Sequence, residues 1–159
     1  MSLDPRAATA FGRAAQCYER GRPSYPPAAV ARVLKTRGGL GLLWNVPTWN
    51  DQDTPWLPAF RATVRQHKRA AGDYPAGKGE WEQPLADTRL FAALQHADDA
   101  HLQHLDIDDF VAQVASWSWI AALCETRRAA VLLDVRARLG ARTEIVIPYR
   151  TDIYWTRRR

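Results

Sequence analysis

The sequence predicts an α+β protein, because three segments with the composition of β-strands lie among a larger number of segments with helical periodicity. The three strand-like segments are Leu40–Val46, which is almost wholly apolar, His101–Leu105, which alternates polar and apolar residues, and Thr143–Thr156, which is rich in β-branched and aromatic residues. The chain of 159 residues has the length of one domain, so we expect a single domain over residues 1–159.

The first 34 residues predict two helices joined by an extended connector. Ala7–Arg20 is rich in alanine and has apolar side chains at helical spacing, and Gly21 is predicted to end this helix. The connector Arg22–Pro26 carries prolines, which lack a donor and disfavour the helical conformation of the preceding residue. Pro27 suits the first turn of a second helix, which we expect to reach Leu34 with an apolar stripe of Val30, Val33 and Leu34.

The first strand, Leu40–Val46, is almost wholly apolar between glycine and proline, and this pattern predicts burial on both faces. A loop then leads to a predicted helix from Leu57 or Pro58 to about Arg69. Beyond it we expect a second loop and two segments that cover the core, over Gly72–Gly79, Trp81–Pro84 and Leu90–Leu94.

The second strand, His101–Leu105, alternates polar and apolar residues, as a half-buried strand does. Asp106 or Asp108 is expected to cap a helix that reaches about Leu123. Thr126 is expected to cap the next helix, which ends at Gly140. The apolar face of that helix is predicted to consist of Ala129, Leu132, Leu133, Val135 and Leu139.

The last segment, Thr143–Thr156, predicts one long strand or two strands separated by a bend. Pro148 lies inside this segment and has no N–H group for a sheet ladder. We therefore expect Pro148 to mark a bulge or a position that faces an edge.

Composition and charge exclude several classes of function. The net charge is +5, but the 22 basic residues are spread among 17 acidic ones and the dense run is only Arg157–Arg159, so no nucleic-acid partner is predicted. The sequence has no signal-peptide pattern and no run of about 18 apolar residues. We therefore expect a cytoplasmic protein that does not contact a membrane.

Metal and nucleophilic sites are also not predicted. Cys17 and Cys124 lack the spacing of zinc ligands or of a disulfide framework. If residues 101–105 form a strand, His101 and His104 point to opposite faces and cannot share an ion. Ser116 and Ser118 have no general base near them in the sequence, so no catalytic residue is assigned.

Three segments together resemble the methyltransferase type 11 group of class I S-adenosylmethionine-dependent methyltransferases. Residues 11–26 match the pattern F-x(6)-Y-x(3)-R-P-x-Y-P of its N-terminal element. Residues 38–45 are similar to the glycine turn and fifth strand of that family. Residues 105–123 and 148–155 are similar to its closing helices and seventh strand.

This resemblance implies an incomplete fold. The glycine-rich turn and the acidic residue that hold the cofactor in such folds are missing, and the Gly-x-Gly of Gly39–Gly41 enters a strand instead of joining a strand to a helix. Between Leu34 and Lys35 about 100 residues of strand–helix units are absent. Residues 1–34 then form a helical cover, and residues 35–159 form the C-terminal half of the fold.

The resemblance further implies a sheet of the fifth, seventh and sixth strands in that order, with the seventh antiparallel to both, covered by helices. This sheet is a three-stranded antiparallel remnant of the Rossmann-like sheet. The family places six of the residues around its substrate pocket: Tyr18, Arg22, Tyr25, Asn45, Tyr149 and Arg150. We expect no cofactor on this chain alone, and S-adenosylmethionine if the methyltransferase activity is retained.

Two functions are compatible with this sequence. The first is a truncated, non-catalytic methyltransferase-like protein that dimerises or binds a small molecule. The second is an active methyltransferase that acts on a small-molecule acceptor. Since Leu40–Val46 would lose its neighbour on one side, we expect a homodimer that forms through this edge strand.

Overall fold

The computed structural model describes residues 15–34, 38–49, 54–71 and 81–159 of the chain. In chain order its elements are α1 (described over residues 15–21), α2 (Pro27–Leu34), β1 (Gly39–Pro47), α3 (Leu57–Ala71), α4 (Glu82–Asp87), β2 (Gln95–Asp106), α5 (Ile107–Ala115), α6 (Ser118–Ala121), α7 (Glu125–Leu139) and β3 (Glu144–Arg157). The predicted α+β class with a small three-stranded antiparallel sheet is confirmed.

The sheet has the strand order β1-β3-β2, so β3 is the central strand. β1 and β3 are antiparallel, with a register that runs from Gly39 opposite Arg157 to Pro47 opposite Tyr149. Side-chain pairs between β2 and β3 join His104 to Glu144 and His96 to Tyr154. In these pairs, a lower residue number on β2 is matched with a higher residue number on β3, as antiparallel strands require.

The two faces of the sheet differ in burial. The odd-numbered residues of β3 from Ile145 to Ile153 are buried, and we call this side the odd face. The opposite side, the even face, carries Trp44 and Val46 of β1, whose side chains are 40% and 36% exposed. The prediction that this strand is buried on both faces is therefore wrong, because β1 is an edge strand with one face open to water.

The chain divides into two compact units, each assembled from separate stretches of sequence. The first unit consists of residues 1–22, 53–75 and 104–146, and the second of residues 23–52, 76–103 and 147–159. In the first unit, α7 packs on α3 and α5. Its core includes edge-to-face and tilted contacts among four aromatic rings, those of Trp56, Phe60, Phe110 and Trp117.

Helix α1 contacts α5 closely in the first unit. The beginning of the predicted helix Ala7–Arg20 lies outside the described residues, and Gly21 is the last residue of the helix, one position beyond the predicted end at Arg20. A Cβ atom on Gly21 would collide with the backbone of Gln113, so a glycine is needed for the close approach. The guanidinium of Arg20 forms an ion pair with the Asp109 carboxylate at 2.6 Å beside this contact.

The connector and α2 agree with the sequence in their bounds. Residues 22–26 have no regular structure, and α2 begins at Pro27 and ends at Leu34 as predicted. Its buried position is Ala29, however, while Val30 of the predicted stripe is 36% exposed. The side chains of Val33 and Leu34 lie outside the described set. α2 packs on β1 within the second unit, and a small side chain at Ala29 permits this approach.

The middle of the chain is also close to its predicted pattern. The helix predicted from Leu57 or Pro58 begins at Leu57 and continues slightly beyond Arg69. The predicted loop Gly72–Gly79 lies outside the described residues. The first predicted covering segment overlaps the short helix α4, and in the second Phe91 and Leu94 are half-buried while Leu90 is 56% exposed.

The helix predicted from the Asp106 region to Leu123 is broken in two. Asp106 is the N-cap of α5, and its carboxylate accepts a hydrogen bond of 2.7 Å from the Asp109 N–H. The break follows Ala115, where the Ser116 hydroxyl donates to the Gln113 carbonyl at 2.6 Å and Trp117 adopts an extended conformation. A local bond from a serine side chain competes with the helical ladder in this way.

Helix α7 differs from the prediction in its cap and its buried face. Its N-cap is Cys124, without a side-chain hydrogen bond, so Thr126 lies in the first turn. The buried residues are Val131, Val135 and Leu139, whereas Leu133 of the predicted face is 71% exposed. Several apolar stripes are possible on this Ala- and Leu-rich helix, and the i, i+4, i+8 stripe is the buried one. Gly140 ends the helix with a positive φ of 63°.

Strand β3 is continuous through Pro148, which selects the single-strand alternative. Pro148 is in the central strand, but it lies opposite Thr48, one position beyond the end of β1. The Thr48 N–H donates to the Pro148 carbonyl at 2.8 Å, so the missing proline donor removes one bond at the end of the ladder. The predicted bulge or edge position is therefore wrong. A proline is tolerated in this central strand because β1 ends beside it.

Candidate functional site

The six residues predicted to surround a pocket lie in three places. Tyr25, Asn45 and Tyr149 come together near the Pro47 end of β1 in the second unit. Arg150 lies on the even face of β3. In the first unit, the Arg22 guanidinium lies 5.5 Å from the centre of the Tyr18 ring, as a cation–π pair.

The first group forms a polar network along β1. The Tyr25 hydroxyl donates to the Leu43 carbonyl at 3.1 Å. The Asn45 amide group donates to the Pro23 and Ser24 carbonyls at 3.4 and 3.2 Å. The Thr151 hydroxyl, opposite Asn45 in the register, donates to the Asn45 Oδ1 at 2.6 Å. The network therefore ties the connector to β1 and β1 to the central strand.

The hydrogen bonds of this network indicate which tautomer a neutral His101 ring on β2 adopts. Both carbonyl contacts of Asn45 require its NH₂ group, so its oxygen faces Thr151 and the single Thr151 proton is donated to it. The Thr151 oxygen lies 3.4 Å from His101 Nδ1 and can only accept there. Nδ1 therefore carries the proton in the neutral ring, and Nε2 presents a lone pair.

His101 Nε2 is buried and has no hydrogen-bond partner among the described residues. The ring is stacked on Tyr149, with centroids 5.5 Å apart and planes inclined by 18°. Tyr149 is 6% exposed and Thr151 is fully buried. We call His101, Tyr149, Thr151, Asn45 and Tyr25 the polar network. The lone pair of His101 Nε2 can accept a hydrogen bond or a proton from a bound donor.

The even face carries a second cluster, which we call the aromatic patch: Trp44, Trp81, Tyr154 and His96. Ring centroids lie 5.0 Å apart between Trp81 and Tyr154 and 5.4 Å apart between Trp44 and Tyr154, both edge to face. His96 stacks on the other side of this set, 4.3 Å from the Tyr154 centroid. These rings lie on the even face, with Trp44 on β1, Tyr154 on β3 and His96 on β2.

Asp152 is the charged centre beside the aromatic patch. Its carboxylate accepts two hydrogen bonds from Arg150, at 3.0 and 3.3 Å, and lies 3.5 Å from His96 Nε2. Hydrogen bonding to Asp152 raises the pKa of Arg150. Burial, followed by the charges of Asp152 and Glu82, raises the pKa of Tyr154, although Arg150 acts in the opposite direction. The Tyr154 phenol therefore stays protonated at neutral pH and cannot act as a base there.

The histidines do not form a metal site within the described part of the chain. His101 is on the odd face, whereas His104 on the even face contacts Glu144 at 2.8 Å. The alternation of the strand separates them as predicted. No group of three or more potential ligands among His, Cys, Asp and Glu occurs in the described ranges. None of the described helices combines the length and hydropathy needed to cross a bilayer.

Sequence reasoning missed His101 and Thr151 as members of the polar network. It considered His101 only as a metal ligand. A signal was present, because alternation places residue 101 on the same face as the buried Leu105. A histidine on the buried side of a strand needs hydrogen-bond partners. The strand order, which brings Thr151 between Asn45 and His101, supplies the partner.

No protein-family model matches the chain, and no curated protein sequence matches it at a significant level.

Proposed function

We propose that the chain is a truncated methyltransferase-like protein that binds a small molecule and does not hold S-adenosylmethionine by itself. The observation that carries this proposal is the strand order β1-β3-β2 with antiparallel neighbours. It is the order expected for the fifth, seventh and sixth strands of the family. Adjacent parallel strands, whose carboxyl ends form cofactor sites in such folds, are not found in the described part of the chain.

The polar network is the proposed binding site for the small molecule. His101 Nε2 offers an acceptor in a buried setting, and its ring is stacked on Tyr149. A flat molecule with an N–H or O–H donor has the complementary chemistry. Desolvation favours such a donor, because the unpaired lone pair is costly while it remains unsatisfied.

An active methyltransferase is the second candidate, and the same lone pair favours it. An acceptor hydroxyl or amine that loses its proton during methyl transfer needs a nearby base, and neutral His101 is suited to that role. In that case, a partner chain would supply the cofactor half.

Calorimetric titration of the purified chain with S-adenosylmethionine tests the proposal. We expect no binding stronger than about 1 mM, because a site without glycine amides and a ribose carboxylate leaves the ligand in water. In parallel, ¹⁵N NMR of the histidine rings is recorded with indole, a flat N–H donor. We expect the His101 Nε2 resonance to move, and the His101→Gln variant to bind indole at least about tenfold more weakly.

Micromolar binding of S-adenosylmethionine would overturn the proposal in favour of the second candidate. An unchanged His101 spectrum at saturating indole would show that the polar network is only structural. His67→Gln is the matched control, because His67 lies in the first unit and pairs with Asp134 at 2.8 Å.

Dimerisation through β1 remains part of this proposal. The Thr48 N–H donates to the Pro148 carbonyl, and the Arg158 N–H donates to the Gly38 carbonyl. The even-numbered residues of β1 therefore form the backbone hydrogen bonds to β3. The N–H and C=O groups of its odd positions therefore point to the free edge. The connector occupies a part of that edge through Tyr25 and Leu43. The edge of β1 therefore has fewer free backbone groups than expected, and a strand of a second copy would pair with the groups that remain free.

A further inference from the structure

A groove at the Gly39 end of β1 belongs to neither cluster described above. It has a volume of about 480 Å³ and is lined by Arg32 of α2, Ala92, Gln95 of β2 and the β3 residues Trp155, Thr156 and Arg157. Small-molecule sites usually have about 300–1,000 Å³. The register places the groove at the opposite end of β1 from Asn45 and Tyr149.

The register explains why space exists here. Gly41 lies opposite Trp155 and Gly39 lies opposite Arg157, so β1 contributes no side chain on that face next to either residue. A Cβ atom on Gly39 would collide with the Thr156 carbonyl oxygen, which requires glycine at this position. The groove is therefore a consequence of the backbone pairing and not of a chance arrangement of surface side chains.

One wall of the groove is fixed by hydrogen bonds. The Ala92 N–H donates to the Arg157 carbonyl at 2.9 Å, and the Thr156 hydroxyl donates to the Ala92 carbonyl at 2.9 Å. The Arg159 N–H donates to the Leu90 carbonyl at 3.0 Å, which extends the pairing. Because these bonds hold the segment on β3, the wall is formed before a ligand arrives, and less ordering is needed on binding.

The charge of the groove is uniformly positive. Arg32 and Arg157 line it, and none of the described lining residues is acidic. Neither guanidinium forms an ion pair with another described residue, whereas Arg20, Arg136 and Arg150 each do. Two guanidinium groups present paired donors that fit a carboxylate or a phosphate.

Trp155 is the aromatic side chain that lines the groove. Trp155 is half-buried in the groove wall, and an indole ring stacks well on a flat organic ring. Gln95 adds an exposed amide that can donate and accept a hydrogen bond. We propose that this groove, which we call the anion groove, binds a small planar organic anion in which a carboxylate or phosphate is attached to a flat ring. This inference does not depend on the function proposed above.

Calorimetry and ¹H–¹⁵N NMR of the whole chain test the anion groove with four probes. Indole-3-acetate carries a flat ring and a carboxylate, and adenosine 5′-monophosphate carries a flat ring and a phosphate. Indole has the ring without the acidic group, and inorganic phosphate has the acidic group without the ring. We expect at least one of the two organic anions to bind with a dissociation constant below about 1 mM and to shift the Trp155 indole resonance. Indole and inorganic phosphate should each bind at least about tenfold more weakly. The stronger of the two anions identifies the acidic group.

Variants separate a built site from general attraction to a basic protein. Arg32→Gln and Arg157→Gln, which lie on different elements, are each expected to weaken binding about tenfold. Arg65→Gln removes the same charge from an exposed site on α3 and is expected to leave binding unchanged. If one arginine variant fails to fold, the other one still tests the groove.

Three results would overturn the inference: binding of neither organic anion below about 1 mM, equal weakening by Arg65→Gln, or binding that shifts the His101 resonance but not that of Trp155. The last result would assign the ligand to the polar network instead. Conversely, a failure of indole to reach His101 leaves the anion groove unaffected, because the two sites share no residue.

Discussion

Asp152 shows how one residue sets the properties of its neighbours on the even face. Its carboxylate is held by two bonds from Arg150 and lies beside His96, and its side chain is only 15% exposed. The same charge adds to burial in raising the pKa of Tyr154. The aromatic patch is thus an apolar surface beside an ion pair, and the pKa of Tyr154 depends in part on the charge of Asp152.

Substitution of Asp152 by asparagine is expected to lower the pKa of Tyr154. The folded state holds the phenol proton more tightly than the unfolded chain, so this contribution to stability is complete below about pH 10 and is lost as the pH rises through the higher folded pKa. Removing the Asp152 charge lets the phenolate form at lower pH. The difference in alkaline ultraviolet absorbance between each protein and its Tyr154→Phe form measures this titration.

Glu144→Gln is the matched control for this titration, because it removes the same charge at the other end of β3 and pairs with His104. An identical Tyr154 titration in the wild-type protein and in Asp152→Asn would contradict the interpretation.

At the scale of elements, the contact between α1 and α5 conflicts with simple helix propensity. Gly21 is unfavourable in a helix by about 1 kcal/mol relative to alanine. Its lack of a side chain nevertheless lets the helix lie against the backbone of Gln113, next to the Arg20–Asp109 ion pair. Propensity alone therefore predicts that alanine stabilises this position, and packing predicts the reverse.

We expect Gly21→Ala to lower the free energy of unfolding by about 1–3 kcal/mol, because an added methyl group must displace the backbone of α5. Urea denaturation followed by circular dichroism measures the change. Glu19→Ala is the control, since residue 19 is exposed on the same helix and its change should lie within about 0.5 kcal/mol. A Gly21→Ala protein as stable as the wild type would show that the helices can separate without cost.

For the whole molecule, the feature that bears on the proposed dimer is the edge strand β1 of the three-stranded sheet. β1 is an edge strand with its odd-numbered N–H and C=O groups directed outward, and the connector contacts β1 at Leu43 and Asn45. Exposed edges of this kind pair with other strands unless charge or cover prevents it. The even face adds exposed apolar area beside the edge, at Trp44 and Val46.

We expect the wild-type chain to be dimeric in light scattering coupled to size-exclusion chromatography, and Val46→Lys to be monomeric at the same concentration, because a charge next to the edge opposes strand pairing. Val146→Lys is the matched control, since Val146 is 40% exposed but lies in the central strand. It should remain a dimer. A wild-type chain that stays monomeric over a concentration series would refute pairing through β1.

Local pattern was sufficient for the fold class, for the approximate positions of α2, α3, β1 and β3, and for the glycine that ends α7. These features depend on proline and glycine geometry and on runs of β-branched residues, which act within a few residues of the chain. Likewise, alternation along β2 was sufficient to separate His101 from His104.

Only the tertiary structure determined which surfaces are buried and which side chains meet. Val131 instead of Leu133 is buried on α7, and one face of β1 is open, because burial depends on the partner element and not on hydrophobicity alone. The polar network and the anion groove both arise from the register of β3 with its neighbours, which brings Thr151 to Asn45 and places Trp155 opposite Gly41. Pairing between segments far apart in sequence leaves no local pattern, so residues and spacings could not reveal it.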